Sequence, residues 1–248
     1  FDFPTAVITL NKNNSRYKKN KNHLNKLGID FKSEKAVIPS QLRNYILRSN
    51  IVLPGKWPNN VFLTASFISH LNALKNIYNQ FESEIYFIME DDVRLFPDPL
   101  LIGLEDIIKN INWDVLQIES YVEDNILNDK FLYSTGLKCR MRDNKLDSGA
   151  AGYFIKRKYI KKILDYIFVE TESGLLVDLK KTYLFSHVIS AESFIFTFGN
   201  VLKMTFPLAQ QELGSKSDIG YEDFWNRKRL IGELGTYKIW LENYKYGD

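Results

Sequence analysis

Ile85 to Phe96 reads IYFIMEDDVRLF, an apolar run of strand length that stops abruptly at three adjacent carboxylates. Glu90, Asp91 and Asp92 are therefore expected at the exit of a strand. Like charges side by side repel, and burying even one unpaired carboxylate costs about 2 to 7 kcal/mol or more. A compensating cation is the simplest remedy, and a hard divalent metal would supply it. A solvated turn carrying three acids is the commoner origin of such a triplet across proteins. The apolar flanks, Ile85 to Met89 and Val93 to Phe96, favour a site instead.

Around this stretch strand and helix signals alternate, which predicts an α/β fold with a mainly parallel sheet flanked by helices. Thr5 to Leu10 reads as a first buried strand. A polar turn, Asn11 to Ser15, leads to a basic helix, Arg16 to Leu27, closed by Gly28 before a short strand at Ile29 to Phe31. Pro39 to Asn60 lacks a clean period and is expected to be an irregular excursion. From Leu63 the spacing of Phe67, His70, Leu71, Leu74, Ile77, Tyr78 and Phe81 is helical, with Thr64 or Ser66 as the cap.

Further on, a helix is predicted over Pro97 to Asn110, a strand over Trp113 to Ile118, and a hairpin or flap within Asn125 to Asp147. Gly149 to Ile155 reads as a strand followed by a basic helix, Lys156 to Ile167. Glu170 to His187 is poorly periodic. Glu192 to Phe198 reads as a helix and Val201 to Phe206 as a strand ended by Pro207. No repeat or linker interrupts the 248 residues, so the expectation is one domain: a core over about 4–210 and a C-terminal loop and helical extension over about 211–248. Trp225, Tyr237, Trp240, Tyr244 and Tyr246 make that tail aromatic, suited to covering the core or a partner, a homodimer included.

Residue supply excludes several chemistries. The three histidines, His23, His70 and His187, and the single cysteine, Cys139, have no zinc-ligand spacing. There is no Walker phosphate loop, no G-x-G-x-x-G after the first strand and no G-x-S-x-G elbow. A formal charge of +3 is too small for a nucleic-acid binder. No apolar stretch reaches the roughly 18 to 20 residues that cross a bilayer. The expected location is cytoplasmic or peripheral to a membrane; an opening at Phe1 rather than Met suggests a domain of a longer chain.

What remains is an acidic strand end in an α/β sheet, where ligands bind outside the carboxyl ends of parallel strands. Oxygen ligands point to magnesium or manganese, and such an ion, held by one or two carboxylates, keeps positions open for phosphate oxygens. If the segment stays extended, Glu90 and Asp92 project to one side as metal ligands and Asp91 to the other as a support.

The order of motifs resembles glycosyltransferase family 25, the lipopolysaccharide and procollagen galactosyltransferase group. The likeness rests on VITLNKNNSRY, TASFISHLNAL, IYFIMEDDVRLF and AAGYFIKRKYIKKIL, with TFPLAQQELGSKSDI a weaker fifth place. It implies a GT-A-like, Rossmann-like fold and an inverting, metal-dependent transfer of a hexose, galactose in the family, from a UDP-sugar to a hydroxyl of a glycan, lipid-linked saccharide or protein. Mn2+ or Mg2+ would sit at Glu90 and Asp92. Donor contacts would come from Thr9, Leu10, Asn11, Arg16, Ser69, His70, Asp91, Gly149, Gln211, Ser217 and Asp218.

Asp147, Ser148 and Gln210 would help hold the donor, with Lys156 and Arg157 as further phosphate cations. Glu192 would be the general base, with Asp178 and Glu172 as substitutes. The chain departs from the family at Thr9 to Lys12, where Asn-Leu-Asp and arginines are usual, and at Ala191, where a second acid is usual. Two other readings stay open: a different metal-dependent nucleotide or phosphoryl enzyme, and a non-catalytic GT-A-like binding domain.

Overall fold

The computed structural model describes residues 2–52, 60–95, 104–118, 139–141, 149–171, 174–179, 181, 190–204 and 208–211. In chain order these form β1 (Thr5–Thr9), α1 (Ser15–Lys26), β2 (Phe31–Lys35), a 3-10 turn at Pro39–Gln41, α2 (Leu42–Arg48), β3 (Ile51–Val52) and α3 (Val61–Gln80). There follow β4 (Ile85–Glu90), β5 (Val93–Leu95), α4 (Leu104–Asn110), β6 (Val115–Gln117), β7 (Cys139–Met141), β8 (Gly152–Lys156) and α5 (Arg157–Ile167). The described chain ends with β9 (Phe168–Thr171), β10 (Gly174–Asp178), α6 (Ala191–Ile195), β11 (Val201–Met204) and β12 (Ala209–Gln211).

Among the described residues, seven strands make the main sheet in the order β2-β1-β4-β8-β6-β11-β7. β1 is parallel to β2 and β4, and β11 is parallel to β6. β8 runs antiparallel between β4 and β6, and β7 runs antiparallel at the end of the sheet. Five strands thus point one way and end at a common edge. β8 starts at that same edge.

Strand alternation divides the core into two layers. Ala6, Ile8, Tyr86, Ile88, Val115, Tyr153 and Ile155 face α2, α3, α5 and α6. Val7, Phe87, Met89, Leu116, Phe154 and Leu202 face α1, α4, β5 and β12. Every residue from Tyr86 to Met89 is fully buried, so β4 is apolar on both faces because both faces are covered. The mainly parallel, helix-flanked α/β sheet expected from the sequence is present.

Several boundaries differ from expectation. The α3 cap is Asn60, whose Oδ1 accepts from the N–H groups of Phe62 and Leu63 at 3.0 and 3.1 Å; Thr64 and Ser66 lie inside the helix. Three residues of an apolar start, Val61 to Leu63, hide the boundary because they add to the hydrophobic pattern that begins inside the helix. The second strand is Phe31–Lys35, later than Ile29 to Phe31, because Leu27 and Gly28 finish α1 and Ile29 donates back to the Leu24 carbonyl at 3.0 Å. Within the expected excursion, 39–48 is helical and β3 pairs with β10. β10, and the end of β9 with which it pairs antiparallel, lie in the segment Glu170 to His187 read as poorly periodic. The C-terminal extension beyond Gln211, most of the expected flap at 125–147, and residues 96–103 lie outside the described residues.

Substituting Asn60→Ala leaves two helix-start donors without a partner and is expected to cost about 1 kcal/mol. Ser66→Ala is expected to stay within about 0.5 kcal/mol. Urea unfolding of both variants checks which residue caps α3.

Candidate active site at the carboxyl edge of the sheet

Thr9 ends β1, Glu90 ends β4, Gln117 ends β6, and Gly149 to Gly152 lead into β8, so the topology gathers these positions at one edge. Asp91 is the anchor on the α1 side. Its Oδ2 accepts the Thr9 hydroxyl at 2.6 Å, its Oδ1 lies 2.8 Å from Arg16 Nε, and its own N–H donates to the Ile8 carbonyl at 3.0 Å. Only 2% of Asp91 is exposed. Arg16 stands in the first turn of α1 because the Asn14 side chain caps that helix, accepting from Tyr17 N–H at 2.6 Å.

Arg16 Nη1 also lies 3.8 Å from Asp92 Oδ2. Alternation had placed Asp92 beside Glu90. The strand stops at Glu90, however, and residues 91 and 92 form a turn. Glu90 therefore faces α3, while Asp91 and Asp92 both lie within reach of Arg16 from α1. Arg94, next in the chain, donates to the carbonyls of Asp91 at 3.4 Å and Arg16 at 3.5 Å.

On the α3 side, His70 Nε2 is 3.2 Å from Glu90 Oε1 and His70 Nδ1 is 3.0 Å from the Tyr153 hydroxyl. Neither His70 nor Tyr153 is exposed to solvent, whereas about a quarter of the Glu90 side chain, 26%, is. Burial, and then the charge of Glu90, hold the Tyr153 phenol well above its ordinary pKa. Ser69 faces inward, donating to the Ala65 carbonyl at 2.6 Å and accepting from Val37 N–H at 2.8 Å. It ties the segment after β2 to α3 and does not reach the edge.

A third group closes the edge on the β6 side. Glu192, in the first turn of α6, accepts Gly149 N–H through Oε1 at 2.9 Å, and the Gly149 carbonyl accepts Gln117 Nε2 at 2.9 Å. Gly149 has φ 99, which suits a residue without Cβ. Pairing of β12 with β5 sets Gln211 opposite Val93, one residue from Asp92. The weakest of the sequence motifs thus reaches the acidic turn by strand pairing.

Leu10 and Asn11 belong to the β1–α1 turn at the same edge. Asn11 is exposed, and its Oδ1 accepts Asn13 N–H at 2.9 Å. Asp178 lies in the small β3-β10-β9 sheet. Asp147, Ser148, Glu172, Ser217 and Asp218 lie outside the described residues, as does the side chain of Gln210.

Lys156 and Arg157 are a correction. Antiparallel pairing sets Lys156 opposite Ile85, at the far end of β4 from Glu90. Lys156 stacks 4.7 Å over Trp113, and Arg157 stacks 4.1 Å over Tyr78 while donating to the Tyr78 and Phe81 carbonyls. They brace that end of the molecule. Sequence reasoning missed Arg94, Gln117, Tyr153 and Asn20. The only signals were the basic residue just after the acids and polar atoms at the ends of apolar strands.

The donor set suits a hard divalent ion in an open site. Asp91 has both oxygens engaged, by Thr9 and Arg16, so of the three acids Glu90 and Asp92 are the two that would hold such an ion, Glu90 from the α3 side of the turn beside His70 and Asp92 from the α1 side beside Arg16. Among the described residues no three His, Cys, Asp or Glu side chains form a closed cage, and an open site of two carboxylates relies on substrate phosphates for the remaining positions. Asn20 is fully buried, its Nδ2 donates to the Glu90 carbonyl at 3.4 Å, and its Oδ1 has no hydrogen-bond partner among the described residues. Buried polar atoms are rarely left so. Arg16 already sits beside both aspartates, so their charge does not by itself require an ion.

No protein-family model matches the chain, and no curated protein sequence matches it. Among solved structures, it is similar to S. aureus TarS 1-349 at 12% identity and TM-score 0.41, covering 96% of this chain and 71% of that one. The inositol-1-phosphate CTP transferase from T. maritima is also 12% identical, with TM-score 0.40, covering 96% and 97%. The apo-form glycosyltransferase GlyE of Streptococcus pneumoniae TIGR4 is 11% identical, with TM-score 0.33, covering 99% and 64%. Likeness this remote carries no inference about chemistry.

Removing Arg16 would take the guanidinium from beside the buried carboxylate of Asp91. Arg16→Met is expected to destabilise the fold by about 3 to 5 kcal/mol. Thr9→Val is expected to cost about 1.5 to 3 kcal/mol, the worth of a hydrogen bond to a charged group. Equilibrium urea unfolding at neutral pH measures both.

Proposed function

We propose that this chain is a GT-A-type glycosyltransferase that moves a hexose, galactose in the family it resembles, from a UDP-sugar to an acceptor hydroxyl with inversion. The observation that carries the reading is the convergence of Thr9, Arg16, Glu90, Asp91, Asp92, Gly149 and Glu192 on one carboxyl edge of the sheet. Thr9, Arg16, Glu90, Asp91 and Asp92 come from motifs whose order resembles glycosyltransferase family 25, Gly149 stands just before another of them, and Glu192 stands where that family usually carries paired acids. The acceptor is a glycan, a lipid-linked saccharide or a protein. No described helix is long and apolar enough to cross a membrane.

Glu90 and Asp92 would hold Mn2+ or Mg2+, which when bound neutralises charge on the diphosphate leaving group. Arg16, already beside both aspartates, orients phosphate oxygens at the start of α1. Asp91 keeps Arg16 in place. Glu192 takes the acceptor hydroxyl's proton while the acceptor oxygen bonds to the anomeric carbon and the bond from that carbon to the diphosphate breaks. Its Oε1 is oriented by Gly149 N–H, so the carboxylate is held at the edge before the acceptor arrives. Gln117 fixes the loop that makes this contact.

A panel of nucleotide sugars assayed with and without manganese tests the proposal. The expected result is metal-dependent release of UDP from one sugar donor. Glu192→Gln should lower kcat by about 100-fold to 10,000-fold, the usual worth of a general base, with donor affinity retained. Asp92→Asn should weaken metal-dependent donor binding. Turnover of nucleotides that carry no sugar would favour a phosphoryl enzyme, and donor binding without any turnover would favour a binding domain.

A further inference from the structure

The reaction as drawn makes no use of His70 or Tyr153, although both are polar, wholly buried and joined to the site. An apolar pair would fill the same space without the cost of burying polar atoms, which is offset only when each is hydrogen-bonded. Here both are. A carboxylate can only accept, so His70 Nε2–H donates to Glu90. The Tyr153 hydroxyl, kept protonated by its burial, lies 3.0 Å from the ring's Nδ1. The two rings lie near parallel, 25° apart, with centroids 5.8 Å apart.

This chain is anchored in two elements. His70 projects from the middle of α3, and Tyr153 sits in β8 opposite Ile88 of β4. The rotation of the Glu90 side chain, at the partly exposed end, is therefore set from inside the core. On the other face Thr9 and Arg16 do the same for Asp91.

Resting on the glycosyltransferase reading above, we propose that His70 and Tyr153 are positioning residues that orient Glu90 toward the divalent ion and the donor diphosphate. Outer partners of metal-binding side chains commonly carry 10-fold to 100-fold in affinity. The test is Mn2+ affinity of the whole chain in the presence of UDP, followed by the electron paramagnetic resonance of free Mn2+, with no catalytic readout required.

Tyr153→Phe keeps the ring and removes the hydroxyl; it is expected to weaken Mn2+ binding about 3-fold to 10-fold. His70→Asn, too short to present a donor at Nε2, should weaken it about 10-fold to 100-fold. His70→Gln, whose amide nitrogen reaches the Nε2 position, should recover affinity to the level of Tyr153→Phe. If the histidine variants do not fold, Tyr153→Phe decides alone. Affinities unchanged in the folded variants overturn the positioning role and leave the glycosyltransferase reading standing. A wild-type chain that takes up no Mn2+, with UDP or without, overturns that reading and the positioning role together.

Discussion

Burying a carboxylate demands partners, and Asp91 has them on three sides: the Thr9 hydroxyl, the Arg16 guanidinium and the Ile8 carbonyl that takes its N–H. Through that one residue the end of β1, the start of α1 and the turn after β4 are tied together. Breaking such a buried pair costs more than the pair itself contributes, because the remaining charge stays out of water. The turn that carries Glu90 and Asp92 is thus tied to β1 and α1 by the residue between them. The cation demanded by three adjacent acids is in the first instance Arg16, supplied by the protein.

Around this anchor the two faces of the sheet divide the work. The α1 face fixes the aspartates by charge, through Arg16. The α3 face fixes Glu90 by hydrogen bonding, through His70 and Tyr153. On the β6 side Gly149 joins Gln117 to Glu192, so the carboxylate assigned to proton removal is also held by a donor from a different element. All of these side chains are oriented from rigid elements, and such preorganisation is what a positioned reaction needs.

Legibility in the sequence followed range. The buried strand Ile85–Glu90, the basic helix after the first strand and the long α3 were readable because their signals are local periodicities and caps. The cap of α3 was misplaced because Val61 to Leu63 resemble the helix they begin. The β9–β10 hairpin escaped because its short strands carry no long alternation. Lys156 and Arg157 looked like phosphate cations from charge alone, and only the antiparallel register of β8 sends them to the opposite end of the sheet. Ser69 and His70 are neighbours in sequence, yet one ties a loop inside the core and the other reaches Glu90.

The α/β class, the strand end at which the acids fall and the residue types available to them are legible in the chain alone, since these depend on composition and on patterns a few residues long. Residue supply also leaves the sequence without zinc-ligand spacing and without a Walker phosphate loop. Which acid faces which helix was decided by tertiary structure. The reason is physical: alternation predicts side-chain direction only while the backbone stays extended, and the backbone turns at Asp91. Pairings separated by seventy or more residues, Thr9 with Asp91 and His70 with Tyr153 among them, are set by strand order and helix packing. No local pattern encodes these.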